Sequence, residues 1–291
     1  MLTVKKLSEV SLKDAVDLWN LSFEGYFTDA TTTIRQFIDR MAAEELSPEL
    51  SLAAWMEGEP AGIVLNGIRT VNGKTTAWNG GTGIAVKFRG QGIGKQLMNH
   101  TIRLYLKHGV NLASLEALSN NNHAIKLYER AGYTVKDQLL FLQKDGQLSD
   151  HAFQADKEFH IEKSPAAHAR HLKILDQQVP WQTQWASLRK DGELASISND
   201  QETLAHVLYK RAFNEAGETS RIMLFHAGIN EESNDTEAAI RFALREIFEP
   251  SVSCTRMTFN FPKSNHLVVR LLEEEGFQSL TEQVYMEKVM D

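Results

Sequence analysis

A single cysteine, Cys254, occurs in 291 residues, so the chain cannot close a disulfide on itself. That fits a reducing compartment. No apolar run approaches bilayer-crossing length, and the opening MLTVKKLSEVSLKDAV lacks the apolar core of a secretion signal. Positive charge is in deficit: 31 Lys and Arg face 38 Asp and Glu, for a net charge of −7. This balance argues against a phosphate-backbone partner such as DNA or tRNA. His100, His108 and His123 show no metal-ligand spacing with Cys or acidic residues, and no Ser-His-Asp or Cys-His arrangement stands out. The expectation is a cytoplasmic, soluble protein with no metal, no nucleic acid and no membrane partner, working as a monomer or homodimer. What is present is ordinary globular composition, 42% hydrophobic and 24% charged. The length exceeds one typical domain and predicts two, each with its own core.

The chain is organised around Thr82–Leu97, TGIAVKFRGQGIGKQL. An apolar strand carrying Ile84, Ala85 and Val86 runs into a turn with Arg89, Gly90, Gln91, Gly92, Ile93, Gly94 and Lys95, and a helical pattern begins at once. Glycines let backbone approach a ligand closely, and a helix N-terminus adds about half a positive charge at the same place. Together they form an anion cradle suited to a pyrophosphate. Lys87, Arg89 and Lys95 add cations. The helix runs to about Lys107 on an apolar arc of Ile93, Leu97, Met98, Ile102 and Tyr105. A short strand, LASLEAL, follows. Asn121 then caps a helix bearing Ala124, Leu127 and Tyr128, which Gly132 ends.

In this order the motifs resemble the GCN5-related N-acetyltransferase (GNAT) superfamily. Its phosphate turn, Arg/Gln-x-x-Gly-x-Gly/Ala, is matched by Arg89, Gly92 and Gly94. Its later signature is matched by Asn121, Ala124, Tyr128, Gly132 and Tyr133. The resemblance implies a mixed α/β fold of twisted, mostly antiparallel sheet flanked by helices, and acetyl-CoA as acyl donor without a metal. It implies direct transfer to a primary amine of a small molecule or peptide in a ternary complex. Pantetheine would lie along Gly83, Ile84, Ala85 and Val86, and an exposed strand N–H near Ile84 to Val86 would polarise the thioester. Tyr128 would serve the leaving sulfur. Many family members carry a Glu on the strand before the turn; this chain has WNGGTGIAV. Glu116 is then the nearest acidic candidate for the base, with a water chain as the alternative. Glu24, Tyr26 and Asp29 are candidate acceptor-pocket residues. A non-catalytic acyl-CoA sensor or scaffold is the alternative reading.

Upstream, Ser11 with Asp14 resembles a capping box, and a second helix is expected from Ile34 to Glu45. Hairpin tips are expected at Glu57-Gly58 and Asn72-Gly73, and WNGGTG predicts a bulge or close backbone approach. The expected domains are 1–145, a linker over 146–158, and 159–291. The second half reads as a degenerate copy of the first: SNHLVVRLLEEEGF repeats NNNHAIKLYERAGY 144 residues further on, and RIMLFHAGI echoes the strand before the turn. DGELASIS near Asp191 echoes EGEPAGIV near Glu57, and Ser164-Pro165 reads as a helix start. In place of KFRGQGIGKQL stands GINEESNDTEAAI, acidic and without a glycine pair, with Leu272 in the place of Tyr128. The acidic run from Glu231 to Glu237 raises a further reading, a docking surface for a basic protein.

Overall fold

The structure, a computed structural model, describes residues 1–27, 29–172 and 179–290. Its elements run β1 (Leu2–Lys6), α1 (Leu12–Ser22), α2 (Ile34–Ala43), β2 (Leu52–Met56), β3 (Glu59–Val71), β4 (Lys74–Ile84), α3 (Ile93–Lys107), β5 (Leu112–Leu118), α4 (Asn122–Arg130) and β6 (Thr134–Lys144). The chain continues through β7 (His160–Pro165), α5 (Trp185–Leu188), β8 (Glu193–Ser198), β9 (Thr203–Phe213), β10 (Thr219–Ile229), α6 (Thr236–Phe248), β11 (Thr255–Thr258), β12 (Phe261–Pro262), α7 (His266–Glu274) and β13 (Gln278–Val289).

Local chemistry sets most of the boundaries. Ser11 Oγ accepts the Asp14 N–H at 3.1 Å and caps α1. Thr33 and Gln36 form a full capping box for α2, which ends at Ala43, short of the expected Glu45. Both hairpin tips are left-handed at two successive residues, Glu57 (φ 54) with Gly58 (φ 87) and Asn72 (φ 50) with Gly73 (φ 74). That is the backbone a tight two-residue hairpin demands. Pro165 ends β7 and a 3-10 turn begins at Ala166, so the expected helix start is instead a strand end.

Two compact units result. The first holds Met1–Lys136 together with the chain from Tyr285 onward; the second holds Asp137–Val284. Residues 146–158, expected as a linker, lie within the second unit. In the first unit the strands are ordered β1-β2-β3-β4-β5, followed by the end of β13, where Met290 N–H donates to Asn111 O at 2.9 Å. All the registered pairs there are antiparallel except β4 with β5. The second unit repeats the plan as β7-β8-β9-β10-β11 with β6 beyond. The echo of EGEPAGIV in DGELASIS is out of frame. DGELASIS becomes β8, which pairs with β9 as β2 pairs with β3, so its counterpart is the LAAWM strand.

The core of the second unit carries one titratable side chain on β10, His226, 3% exposed. Its Nε2 has no hydrogen-bond partner among the described residues. Burial pushes its pKa down to about 4. The folded state therefore favours neutral imidazole, and its stabilisation is complete above the unfolded value near 6.5 and lost as pH falls towards 4. About 3 kcal/mol should disappear over that window. Denaturant unfolding followed between pH 7 and 4 should show this slope, and His226→Leu should flatten it.

Candidate active site

The turn after β4 is shaped by left-handed glycines. Gly90 (φ 78) and Gly92 (φ 80) adopt angles that an L side chain resists, and a Cβ at either would meet nothing within 4 Å. The glycines thus answer the backbone angle, while the space in front of the turn stays clear. Gly92 is the N-cap of α3, and no side chain caps that helix. The amides of its first turn are left for another partner. An anionic diphosphate group matches that donor set and the cations around it.

The Arg89 guanidinium, expected as a ligand, is engaged by the protein. Its Nε donates to Ile84 O at 2.9 Å, and Nη2 donates to Glu24 O at 2.7 Å and to Ser22 O at 3.3 Å. It clamps the turn to the end of β4 and to the end of α1. Gln91 Nε2 donates to Lys87 O, and Lys87 pairs with Glu59. Lys95 lines the cavity, joined by Lys126 and Arg130 of α4. These two were missed in the sequence, although their i,i+4 spacing places them on one helix face.

Strand β4 leaves its parallel partner early. Pairing with β5 covers only Thr76↔Leu112 to Asn79↔Leu115. At that point β3 skips Gly80, a β-bulge in the expected WNGGTG stretch. Arg40 Nη2 donates to the bulge carbonyl, Gly80 O, at 2.6 Å. Beyond it the edge of β4 facing away from β3 is open. Ala85 N–H is turned inward, donating to Ala61 O at 3.0 Å, and Val86 lies in a 3-10 turn whose carbonyl accepts Arg89 N–H. Backbone groups alternate along a strand, so the outward amides belong to Thr82 and Ile84. The expected donor set of Ile84, Ala85 and Val86 narrows to Ile84. Glycines also bring α1 close: a Cβ on Gly83 would lie 2.6 Å from Phe23 and 2.8 Å from Ser22 Cβ.

A cavity of about 780 Å³ joins these parts. It is bounded by the end of α1 and the following loop through Phe27, by Thr82–Ile84, by the glycine turn and by α4 from Asn121 to Arg130. Tyr128 faces it from α4, 5% exposed. Burial raises its phenol to about 12, with the neighbouring Thr82 side chain acting in the opposite direction. Asn121 Oδ1 accepts the Ala124 N–H at 3.1 Å and caps α4. Burial raises the Tyr26 phenol pKa, with the Asn121 side chain acting in the opposite direction. Glu24 and Asp29 line an adjoining hollow of about 420 Å³, which Tyr26 shares. Glu116 lines neither space: its Oε2 accepts the Trp78 indole N–H at 2.7 Å.

Residues 12–133 match the acetyltransferase (GNAT) family. That match spans most of the first unit, which has the GNAT fold. Solved structures extend the likeness in fold to the whole chain. A GCN5-related N-acetyltransferase from Anabaena variabilis ATCC 29413 has a TM-score of 0.65 at 13% identity, covering 100% of this chain and 73% of its own. One from Kribbella flavida has a TM-score of 0.62 at 14% identity, covering 100% and 71%. A tandem GNAT protein from the clavulanic acid biosynthesis pathway has a TM-score of 0.59 at 13% identity, covering 100% and 99%. No protein of curated function matches the sequence.

The second unit keeps the GNAT framework and alters the site. Strand β10 pairs in parallel with β11 only over Arg221↔Thr255 to Leu224↔Thr258, and β9 then skips Phe225. Its bulge and open edge therefore repeat those of β4. The turn that follows holds no glycine; Thr236 Oγ1 ties it shut by donating to Asn230 O and Ser233 O. Matching the buried faces of α3 and α6 puts Glu237 where the first unit has Gly94. Glu237 closes an ionic ring with Arg241, Arg270 and Glu274, at 2.7 to 3.0 Å. The acidic run is thus partly neutralised within the fold, with Asp235 paired to Lys157 as well.

The Arg89 clamp generates the first test of this site. Arg89→Ala should lower thermal stability by about 1 kcal/mol, since its bonds are charge-assisted but partly solvent-exposed. It should also speed proteolysis in the loop after α1. A free anion ligand would leave both properties unchanged.

Proposed function

We propose that the N-terminal half moves an acetyl group from acetyl-CoA directly to a primary amine of a small molecule or peptide. The observation that carries this reading is one cavity that brings together the open edge of β4, the left-handed glycine turn and Tyr128. Acetyl-CoA supplies an activated thioester; transfer breaks its C–S bond, forms the amide C–N bond, releases coenzyme A as its thiolate and gives both protons of the reacting ammonium to solvent.

The chain's residues divide the binding. First-turn amides of α3, with Lys95, Lys126 and Arg130, would hold the phosphates. The outward Thr82 groups and the Ile84 N–H would receive an amide-bearing arm as though it were another strand. The Ile84 N–H would sit where negative charge develops on the carbonyl oxygen. Glu24 and Asp29 on the adjoining hollow offer negative charge to an incoming ammonium.

Magnitudes refine the role of Tyr128. A phenol near 12 lies about 3.5 units above a thiol, so full proton transfer to a thiolate would be uphill by about 5 kcal/mol. Tyr128 therefore acts as a hydrogen-bond donor to the sulfur and keeps its proton. Deprotonating a lysine-like amine at neutral pH costs about 4 kcal/mol. With Glu116 held by Trp78, water is the acceptor of that proton. The lack of a carboxylate on the open strand among the described residues also favours the second reading, an acyl-CoA-binding sensor or scaffold. Coenzyme release with a panel of amines separates the two.

Calorimetric titration with acetyl-CoA should give one site per chain, and Gly92→Glu should abolish it while the fold persists. Two sites per chain would contradict the assignment of binding to the first unit. Tyr128→Phe should cut turnover about a hundredfold and leave coenzyme affinity within about threefold; equal turnover would reduce Tyr128 to packing. Because Tyr128 stays protonated until about pH 12, kcat/KM should climb as the amine deprotonates and show no decline up to about pH 10.

A further inference from the structure

The first unit buries an amide side chain at a point where the second buries a leucine. Asn79 stands in the last parallel pair of β4, just before the bulge, and is 3% exposed. Its side chain spans the bulge. Oδ1 accepts the Gly81 N–H at 3.0 Å, while Nδ2 donates to Thr82 Oγ1 at 2.8 Å and to Met98 Sδ at 3.5 Å. The Gly81 amide can only donate, so the atom facing it is the oxygen, and the orientation of Asn79 follows. Thr82 Oγ1 is therefore an acceptor towards Asn79, with its own hydrogen still to be placed. Within the protein that hydrogen has Asn79 Oδ1 at 3.2 Å and Met98 Sδ at 3.9 Å, a long contact and a weak acceptor. Thr82 lines the cavity from the strand, as Tyr128 does from the helix.

The second unit shows that the strand does not require this arrangement. The last parallel pairs, Asn79↔Leu115 and Leu224↔Thr258, are equivalent, as are the skipped residues Gly80 and Phe225. Leu224 thus occupies the place of Asn79, fully buried, and Ala227 that of Thr82. The bulge and the end of parallel pairing persist there with neither amide nor hydroxyl. Burying an amide in an apolar layer is unfavourable until its groups are bonded, and Leu224 avoids that cost. The polar pair is present in the unit with the glycine turn and missing from the unit without it. Its role therefore lies in the cavity rather than in the fold.

We propose that Asn79 is a positioning residue that turns the Thr82 hydroxyl hydrogen into the cavity, as a donor to the sulfur of a bound thioester. The inference rests on the proposed coenzyme site and adds a second donor beside Tyr128. With one Oγ1 lone pair taken by Asn79, the hydroxyl has its hydrogen to offer. A thiolate in the cavity is a stronger acceptor than either internal contact. As the C–S bond breaks, the sulfur keeps the electron pair, and a hydrogen bond aimed there strengthens as the charge develops. No proton changes hands, because a threonine hydroxyl is a far weaker acid than a thiol. Thr82 stabilises the charge, and Asn79 acts only through Thr82.

The test titrates the thiol of coenzyme A bound to the full chain, read from the ultraviolet absorbance of the thiolate, with calorimetry for affinity. A donor on the sulfur favours the thiolate and lowers the midpoint. Thr82→Val should raise that midpoint by about 1.5 pH units and lower kcat about thirtyfold, with coenzyme affinity within about threefold, as one lost hydrogen bond to a charged group implies. Thr82→Ser should keep the parent's midpoint. Asn79→Leu should raise it part of the way, and Asn79→Leu with Thr82→Val should match Thr82→Val alone. Should Thr82→Val fold poorly, Asn79→Leu with Thr82→Ala restores the pairing of Leu224 and Ala227 and should show the same raised midpoint. A midpoint that Thr82→Val or Asn79→Leu leaves in place overturns the proposal, whatever happens to turnover. So does an Asn79→Leu effect that adds to that of Thr82→Val. A parent that binds neither acetyl-CoA nor coenzyme A sinks the coenzyme reading itself, whereas binding with unmoved midpoints sinks this inference alone.

Discussion

The departure of β4 from β5 after the bulge at Gly80 is the constraint to which the rest of the first unit answers. Four parallel pairs hold the two strands, and then the edge of β4 carries amides and carbonyls without a neighbouring strand. Such groups need partners. One is supplied by Arg40, which reaches the bulge carbonyl from α2, and another by Arg89, which takes Ile84 O. The amides left over at Thr82 and Ile84 are what a ligand can use. Gly83 lets α1 pack hard against the strand on one side, while the glycine turn opens α3 on the other.

The second unit shows how little it takes to change the use of this scaffold. Bulge, parallel pairing and capped helix all persist there. What differs is the turn, closed by the Thr236 hydroxyl, and the helix faces, which the ring of Glu237, Arg241, Arg270 and Glu274 knits together. Apolar burial by β8, β9, β10 and α6 remains intact. The framework is therefore maintained by its core, and the glycine turn depends on a few backbone angles and charges laid over it.

Features encoded by neighbours in sequence were legible without the structure. The hairpins at Gly58 and Gly73, the caps at Ser11 and Asn121, and the run of strand, turn and helix around Gly92 each follow from local chemistry. Features that depend on distant partners were not. The guanidinium of Arg89 looks like an anion ligand until Ser22 and Glu24, more than sixty residues away, prove to take it. Ala85 looks like an open strand amide until Ala61 is found across the sheet. The Trp78 indole on the Glu116 carboxylate, 38 residues away in sequence, is likewise not written in either neighbourhood. The DGELASIS echo failed for another reason: alternating apolar positions in a short strand have no unique register, so similar letters aligned the wrong pair.

The last strand gives the molecule an order of events. Residues from Tyr285 onward belong to the first unit, yet they leave the ribosome after the whole of the second. Throughout that synthesis β5 would present a bare strand edge, the kind of surface that invites pairing with another chain. Vectorial folding, in which an N-terminal domain matures before its successor emerges, is therefore denied to this chain. The sheet that carries the glycine turn is completed only after the second unit has been synthesised, through contacts of very long sequence separation that are slow to form.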